Sequence, residues 1–129
     1  MSGLHAAALW SGLNLVLLLA LAIQVVRYRL KAGVALLDGG DTTLARTIRV
    51  HANAVEYIAP CLAGLAVMAL AGSPAWAVHA GGALLFGGRI AHAMGLGTSA
   101  GPTPGRQVGM VATWLAMAWI AVFCLLAAF

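Results

Sequence analysis

The residues able to do chemistry are concentrated in the segment Arg46–Pro60, which carries Arg46, Arg49, His51, Asn53, Glu56 and Tyr57 ahead of Pro60. At 100° per residue on a helix, Arg49, Asn53, Glu56 and Pro60 fall at about 0°, 40°, −20° and 20°, with Arg46 near 60°. They make one narrow polar stripe. Tyr57 flanks it at about 80°, and His51 lies on the far side at about 200°. Pro60 removes the backbone hydrogen bond to the carbonyl of Glu56, where the helix is expected to bend or loosen. A second group, Arg89 and His92, sits three residues apart on a later helix, about 60° apart in projection. Two arginines facing one glutamate leave positive charge uncompensated, and that chemistry calls for an anionic ligand. The structural alternative is that Arg49 and Glu56 neutralise partners on neighbouring helices and pin a bundle together. His79, alone on its helix, reads as a satisfied core histidine.

Such groups are unremarkable in water, but this chain is not built for water. It has 129 residues, 63% hydrophobic and 8% charged. Soluble domains run at about 45–50% apolar and about 25% charged. A globule of this size cannot hide that much apolar side chain. The composition specifies a single-domain integral membrane protein, in which intramembrane polar groups are costly and need a reason. The net charge of +4 comes from seven Lys and Arg with no basic run. It reads as a topology signal and not as a nucleic-acid surface. Cys61 and Cys124 sit in apolar segments without metal-ligand spacing and read as small buried hydrophobes. No zinc, haem or nucleotide motif occurs, and glycine-rich Gly97–Gly105 lacks phosphate-loop spacing and reads as a flexible loop.

Four apolar spans position the polar residues, at about 6–28, 44–71, 75–96 and 108–129. The first has no Lys or Arg before it and Arg27, Arg29 and Lys31 after it. It is therefore expected to be a retained helix and not a cleaved signal. Asp38-Gly-Gly-Asp41-Thr-Thr follows as a turn, with Asp41 or a threonine able to cap the second helix. The second span is long enough, about 42 Å, for its arginine end to reach headgroups while Glu56 lies deeper. Gly72-Ser-Pro74 makes a tight outer turn. All seven basic residues fall in or near the two loops of one side, so both termini are expected outside. Short loops imply an all-α, antiparallel four-helix bundle. Gly81, Gly82, Gly87 and Gly88 allow the close backbone contact that association in lipid requires.

Arg49-x-x-x-Asn53-x-x-Glu56-Tyr57 with Pro60, and Gly88-Arg89-Ile-Ala-His92 in the third helix, resemble the MAPEG superfamily, the membrane-associated proteins in eicosanoid and glutathione metabolism. Length, four spans and cationic inner loops agree with it, and the flavour is that of the small bacterial members. The resemblance implies a bacterial inner-membrane protein assembled as a homotrimer in contact with membrane lipid. It implies glutathione as co-substrate between adjacent subunits near the cytoplasmic face. By position, Arg49, Asn53, Glu56 and Tyr57 would contact the tripeptide, with Arg89 and His92 contributing from the neighbouring helix. Arginine forks suit its carboxylates and Glu56 its ammonium, and a guanidinium near the sulfur would favour thiolate. Arg106 is the positional candidate for that last, catalytic role, with Arg27 and Arg29 as alternatives. One departure is Leu96, where family enzymes often carry tyrosine.

The implied activity is a glutathione transferase or peroxidase acting on small lipophilic electrophiles from the bilayer. A non-catalytic binding or scaffold protein of the same fold is the alternative. A small proton-coupled multidrug exporter also has four spans and one membrane glutamate, but arginines around Glu56 would repel its cationic cargo.

Overall fold

A computed structural model describes residues 2–129. The chain forms four helices: α1 (Gly3–Ala32), α2 (Thr42–Leu70), α3 (Ala75–Thr98) and α4 (Pro104–Leu126). Several helices outrun their apolar spans, because local capping rather than hydropathy sets the ends. In α1, Arg29 and Lys31 occupy the last turn, where cations oppose the helix dipole, and left-handed Gly33 closes it at φ 66°. Asp41 caps α2, its carboxylate accepting from the amides of Thr43 and Leu44 at 2.8 and 2.9 Å. Thr103 caps α4, with Pro104 in its first turn. The expected Gly97–Gly105 loop therefore shrinks from both sides, since α3 continues through Thr98 and α4 begins at Pro104. α2 runs unbroken through Pro60, whose ring lies on the exposed side.

Helices α1, α2 and α4 are each long and apolar enough to cross a membrane on composition alone. α3 is diluted by His79, Arg89, His92 and its glycines, yet Arg89 and His92 are buried within the bundle. Large apolar side chains such as Leu15, Leu19, Trp114 and Leu115 point outward instead. This inside-out distribution is that of a helical bundle solvated by lipid.

Cross-helix contacts fix the topology. Trp10 Nε1 donates to His79 Nδ1 at 3.1 Å, joining the starts of α1 and α3, which are therefore parallel. Trp119 Nε1 donates to the Ala77 carbonyl at 2.9 Å, joining the end of α4 to the start of α3. The bundle is antiparallel between neighbours in sequence. α2 and α3 form its centre; α1 and α4 lie on opposite sides of that pair, and among the described residues their backbones do not approach each other. One core cluster, including Leu65, Met68, Val78, Leu85 and Ile120, fills the half near the termini. A second, comprising Leu21, Val50, Ala54, Ile58 and Leu96, fills the other half.

The α3–α4 seam is the tightest. A β-carbon at Gly109 would run into the backbone amide of His92, and one at Gly88 would meet the Gly109 carbonyl and the Thr113 amide, both at 3.0 Å. Of the glycines expected to allow close packing, Gly81, Gly82 and Gly88 do so, while Gly87 faces open space.

Candidate functional site

The polar site is built where the second core cluster meets the α3–α4 seam. Arg89 is completely buried, an uncommon position for a guanidinium in any protein. Its Nη2 donates to Asn53 Oδ1 at 2.8 Å and its Nη1 to Thr113 Oγ1 at 3.5 Å. Its carbon centre lies over the Tyr57 ring, 5.4 Å from the centroid, in cation–π contact. Thr113 itself donates to the carbonyl of Gly109 at 2.7 Å, so its hydroxyl presents a lone pair to Arg89. All three partners are neutral. No carboxylate neutralises Arg89 among the described residues, and its Nε–H has no acceptor. One turn along α3, His92 is 1% exposed and its Nδ1 is also without a partner.

The predicted stripe on α2 straddles the edge of the buried face and divides there. Asn53 and Tyr57, at its larger angles, turn inward to Arg89. Arg49 and Glu56, two turns apart at the other edge, turn outward and pair with each other, Nη1 to Oε1 and Nη2 to Oε2, both at 3.0 Å. That fork-to-fork pair is about half exposed on each side (56% and 49%) and is the only ion pair among the described residues. Glu56 is thus matched one-to-one by Arg49, and the uncompensated charge resides on Arg89.

Arg106 stands at the start of α4, one turn before Gly109, and its Nη1 donates to the Ala100 carbonyl at 3.4 Å. Arg29 is tied to the Leu37 carbonyl at 2.7 Å. Leu96 is buried in the apolar cluster with Leu21, Val50, Ala54 and Ile58, so that position adds no polar group to the site. His79 has its Trp10 partner, as expected of a core histidine.

Thr113 is the site residue that sequence reading passed over. It lies on a helix with no charge beyond Arg106, and its only signal is the small-residue spacing Gly109-x-x-x-Thr113. Cys61 and Cys124 are both free, and Cys124 donates weakly to the Gly64 carbonyl at 3.5 Å.

A buried arginine and histidine on one helix, facing asparagine and tyrosine on the next, invite comparison with known families. The MAPEG family model matches residues 7–126, which takes in every residue of the site. The chain belongs to the MAPEG family. It is similar to the inner membrane protein YecN of Escherichia coli strain K12, at 38% identity over 111 residues, covering 86% of this chain and 83% of that one. The protein of the same name from E. coli O6:H1 strain CFT073 matches to the same extent. These relatives group the chain with the small bacterial members of the MAPEG family and agree with its character as a helical integral membrane protein.

Proposed function

We propose that the protein binds glutathione near the cytoplasmic face of the bacterial inner membrane and presents it as a thiolate to lipophilic electrophiles. The observation that carries this reading is the buried, uncompensated Arg89, held by three neutral groups and still holding a free Nε–H. A fixed cation without a counter-ion in a low-dielectric interior favours an anion of complementary shape. Glutathione supplies two carboxylates, for Arg89 and Arg49, and an ammonium for Glu56 once the Arg49–Glu56 pair opens. His92 Nδ1 offers a further contact. The electrophile enters from hydrocarbon; the thiolate attacks it, a carbon–sulfur bond forms, and the leaving group departs with its electron pair. Arg106 supports the thiolate by leaving the Ala100 carbonyl.

The assembly in this reading is a homotrimer with the ligand between subunits. Its support is the Arg49–Glu56 pair, which lies on the outside of a helix expected to face hydrocarbon. A half-exposed ion pair at that depth is costly unless another copy covers it. A second reading, a binding or scaffold protein without catalysis, is favoured by Leu96, which leaves one wall of the site apolar.

Titration of the purified protein with glutathione, following thiolate absorbance, separates these readings. We expect saturable binding, a thiolate signal, and a loss of about ten- to a hundredfold in affinity on Arg89→Met or Glu56→Gln, the scale of a charged hydrogen bond. Binding without thiolate or conjugation of a generic electrophile establishes the scaffold reading. No saturable binding at all overturns both.

A further inference from the structure

Toward the end of the bundle that carries the α1–α2 loop, helices α1, α2 and α3 line a groove of about 430 Å³. Its deep end is apolar, with Leu17, Leu21, Val50 and Ile90, and its mouth is polar, with Tyr28 and Arg46. Leu17 and Tyr28 are eleven residues apart on α1, or about 16 Å along the axis. Half of a bilayer's hydrocarbon is about 15 Å, so the groove runs from headgroup level to the midplane.

Its charge is net positive, with Arg46, Arg27 and Lys31 against the single carboxylate of Asp41. Arg46 is half-buried in the groove wall and forms no ion pair among the described residues. Of the chain's three acidic residues only Asp41 comes near, lining a small cleft beside the mouth with Tyr28, Lys31 and Thr43. Glu56 binds Arg49, while Asp38 and Asp41 accept from loop and helix-start amides. At the mouth the groove adjoins a second cleft of about 440 Å³, lined by Gln24, Arg27, Tyr28 and Lys31, and the two share Gln24 and Tyr28. The combined shape is an acyl-chain slot one leaflet deep that opens onto a broad basic shelf.

We propose that this groove holds one anionic phospholipid of the inner leaflet, an acyl chain between α1, α2 and α3 and its phosphodiester on Arg46 and the Arg27/Lys31 shelf. Charge complementarity and depth select the occupant. A zwitterionic phospholipid offers the same phosphodiester but brings a quaternary ammonium onto the Arg27/Lys31 shelf, which repels it, and a free fatty acid has too small a head to span both Arg46 and the shelf. Basic pockets between membrane helices on the cytoplasmic side recognise anionic headgroups by this physics. The groove shares no residue with the Arg89 cluster, and its test does not depend on glutathione.

The test uses the full chain extracted in mild detergent, mixed with equal amounts of phosphatidylglycerol and phosphatidylcholine, and weighed as intact complexes by mass spectrometry. One phosphatidylglycerol per chain is expected, retained severalfold over phosphatidylcholine. Arg46→Gln reduces its retention about fivefold, the worth of one basic residue at an anionic surface. Arg106→Gln removes the same charge away from the groove and leaves retention unchanged. Ala93→Phe fills the slot and displaces the lipid; unaltered helical circular dichroism confirms that this variant is folded, and Arg46→Gln carries the test if it is not. Equal retention of both lipids, equal loss in Arg46→Gln and Arg106→Gln, or full displacement of phosphatidylglycerol by equimolar oleate overturns the proposal.

Discussion

Arg49 and Arg89 are both arginines of the same polar site, yet they solve opposite problems. Arg49 has a formal partner, bidentate geometry at 3.0 Å and half of its surface exposed. Arg89 has no acidic partner, one hydrogen bond at 2.8 Å, one at 3.5 Å, an aromatic face and no exposure. The better-paired arginine matters less to the fold. An ion pair carries its own counter-charge, and away from water the cost of desolvating both members largely offsets their attraction, so removing the two together changes stability little. A buried charge, by contrast, makes each neutral partner essential, since losing one strands the guanidinium in a medium that cannot resolve its charge. The difference teaches that pairing and structural importance are separable: the outer pair is free to open for a ligand, and the inner cation is held ready.

The sharpest way to break this contrast is Asn53→Leu, which removes the strongest partner of Arg89. It is expected to destabilise the bundle by about 3 kcal/mol, read as a lowered thermal midpoint in detergent. Arg89→Met in the same background should recover most of that loss, because no charge is left to strand; a double-mutant cycle with no coupling would show that Asn53 acts through packing alone. Gly109→Ala comes next, at about 1–3 kcal/mol, since its β-carbon must displace the backbone of His92. Tyr57→Leu should cost about 1 kcal/mol through the lost cation–π contact, and Tyr57→Phe should restore it. The smallest effect is expected for the double variant Arg49→Ala/Glu56→Ala, within about 1 kcal/mol of the parent in stability. An unchanged midpoint with abolished glutathione affinity would sharpen the division between the two arginines.

Much of this was legible in the sequence because the signals are large. Apolar runs separated by basic loops fix the number of helices, and helical projection brings Arg49, Asn53 and Glu56 together. It could not decide which edge of the stripe is buried. Asn53 and Arg49 differ by only about 40°, and the buried face of α2 ends between them. That boundary depends on where α3 and α4 pack, which local periodicity does not encode. Thr113 was hidden for a related reason: its hydroxyl bonds to the carbonyl four residues earlier, as threonines in membrane helices commonly do. Its second role appears only when α3 lies against α4. The helix ends were misjudged where capping beat hydropathy, as at Thr103-Pro104.

The glycine seam between α3 and α4 has a mechanical consequence. With Gly88 against Gly109 and Gly95 against the backbone of Arg106, the two helices cannot slide by a fraction of a turn without backbone collision. Arg89, His92 and Thr113 therefore ride on one stiff plate. Asn53, Tyr57, Arg49 and Glu56 ride on α2, whose contact with that plate is through side chains. Any breathing of the site must occur along the α2–α3 boundary, so a ligand that tightens it registers as a shift of α2, while the spacing between α3 and α4 stays constant.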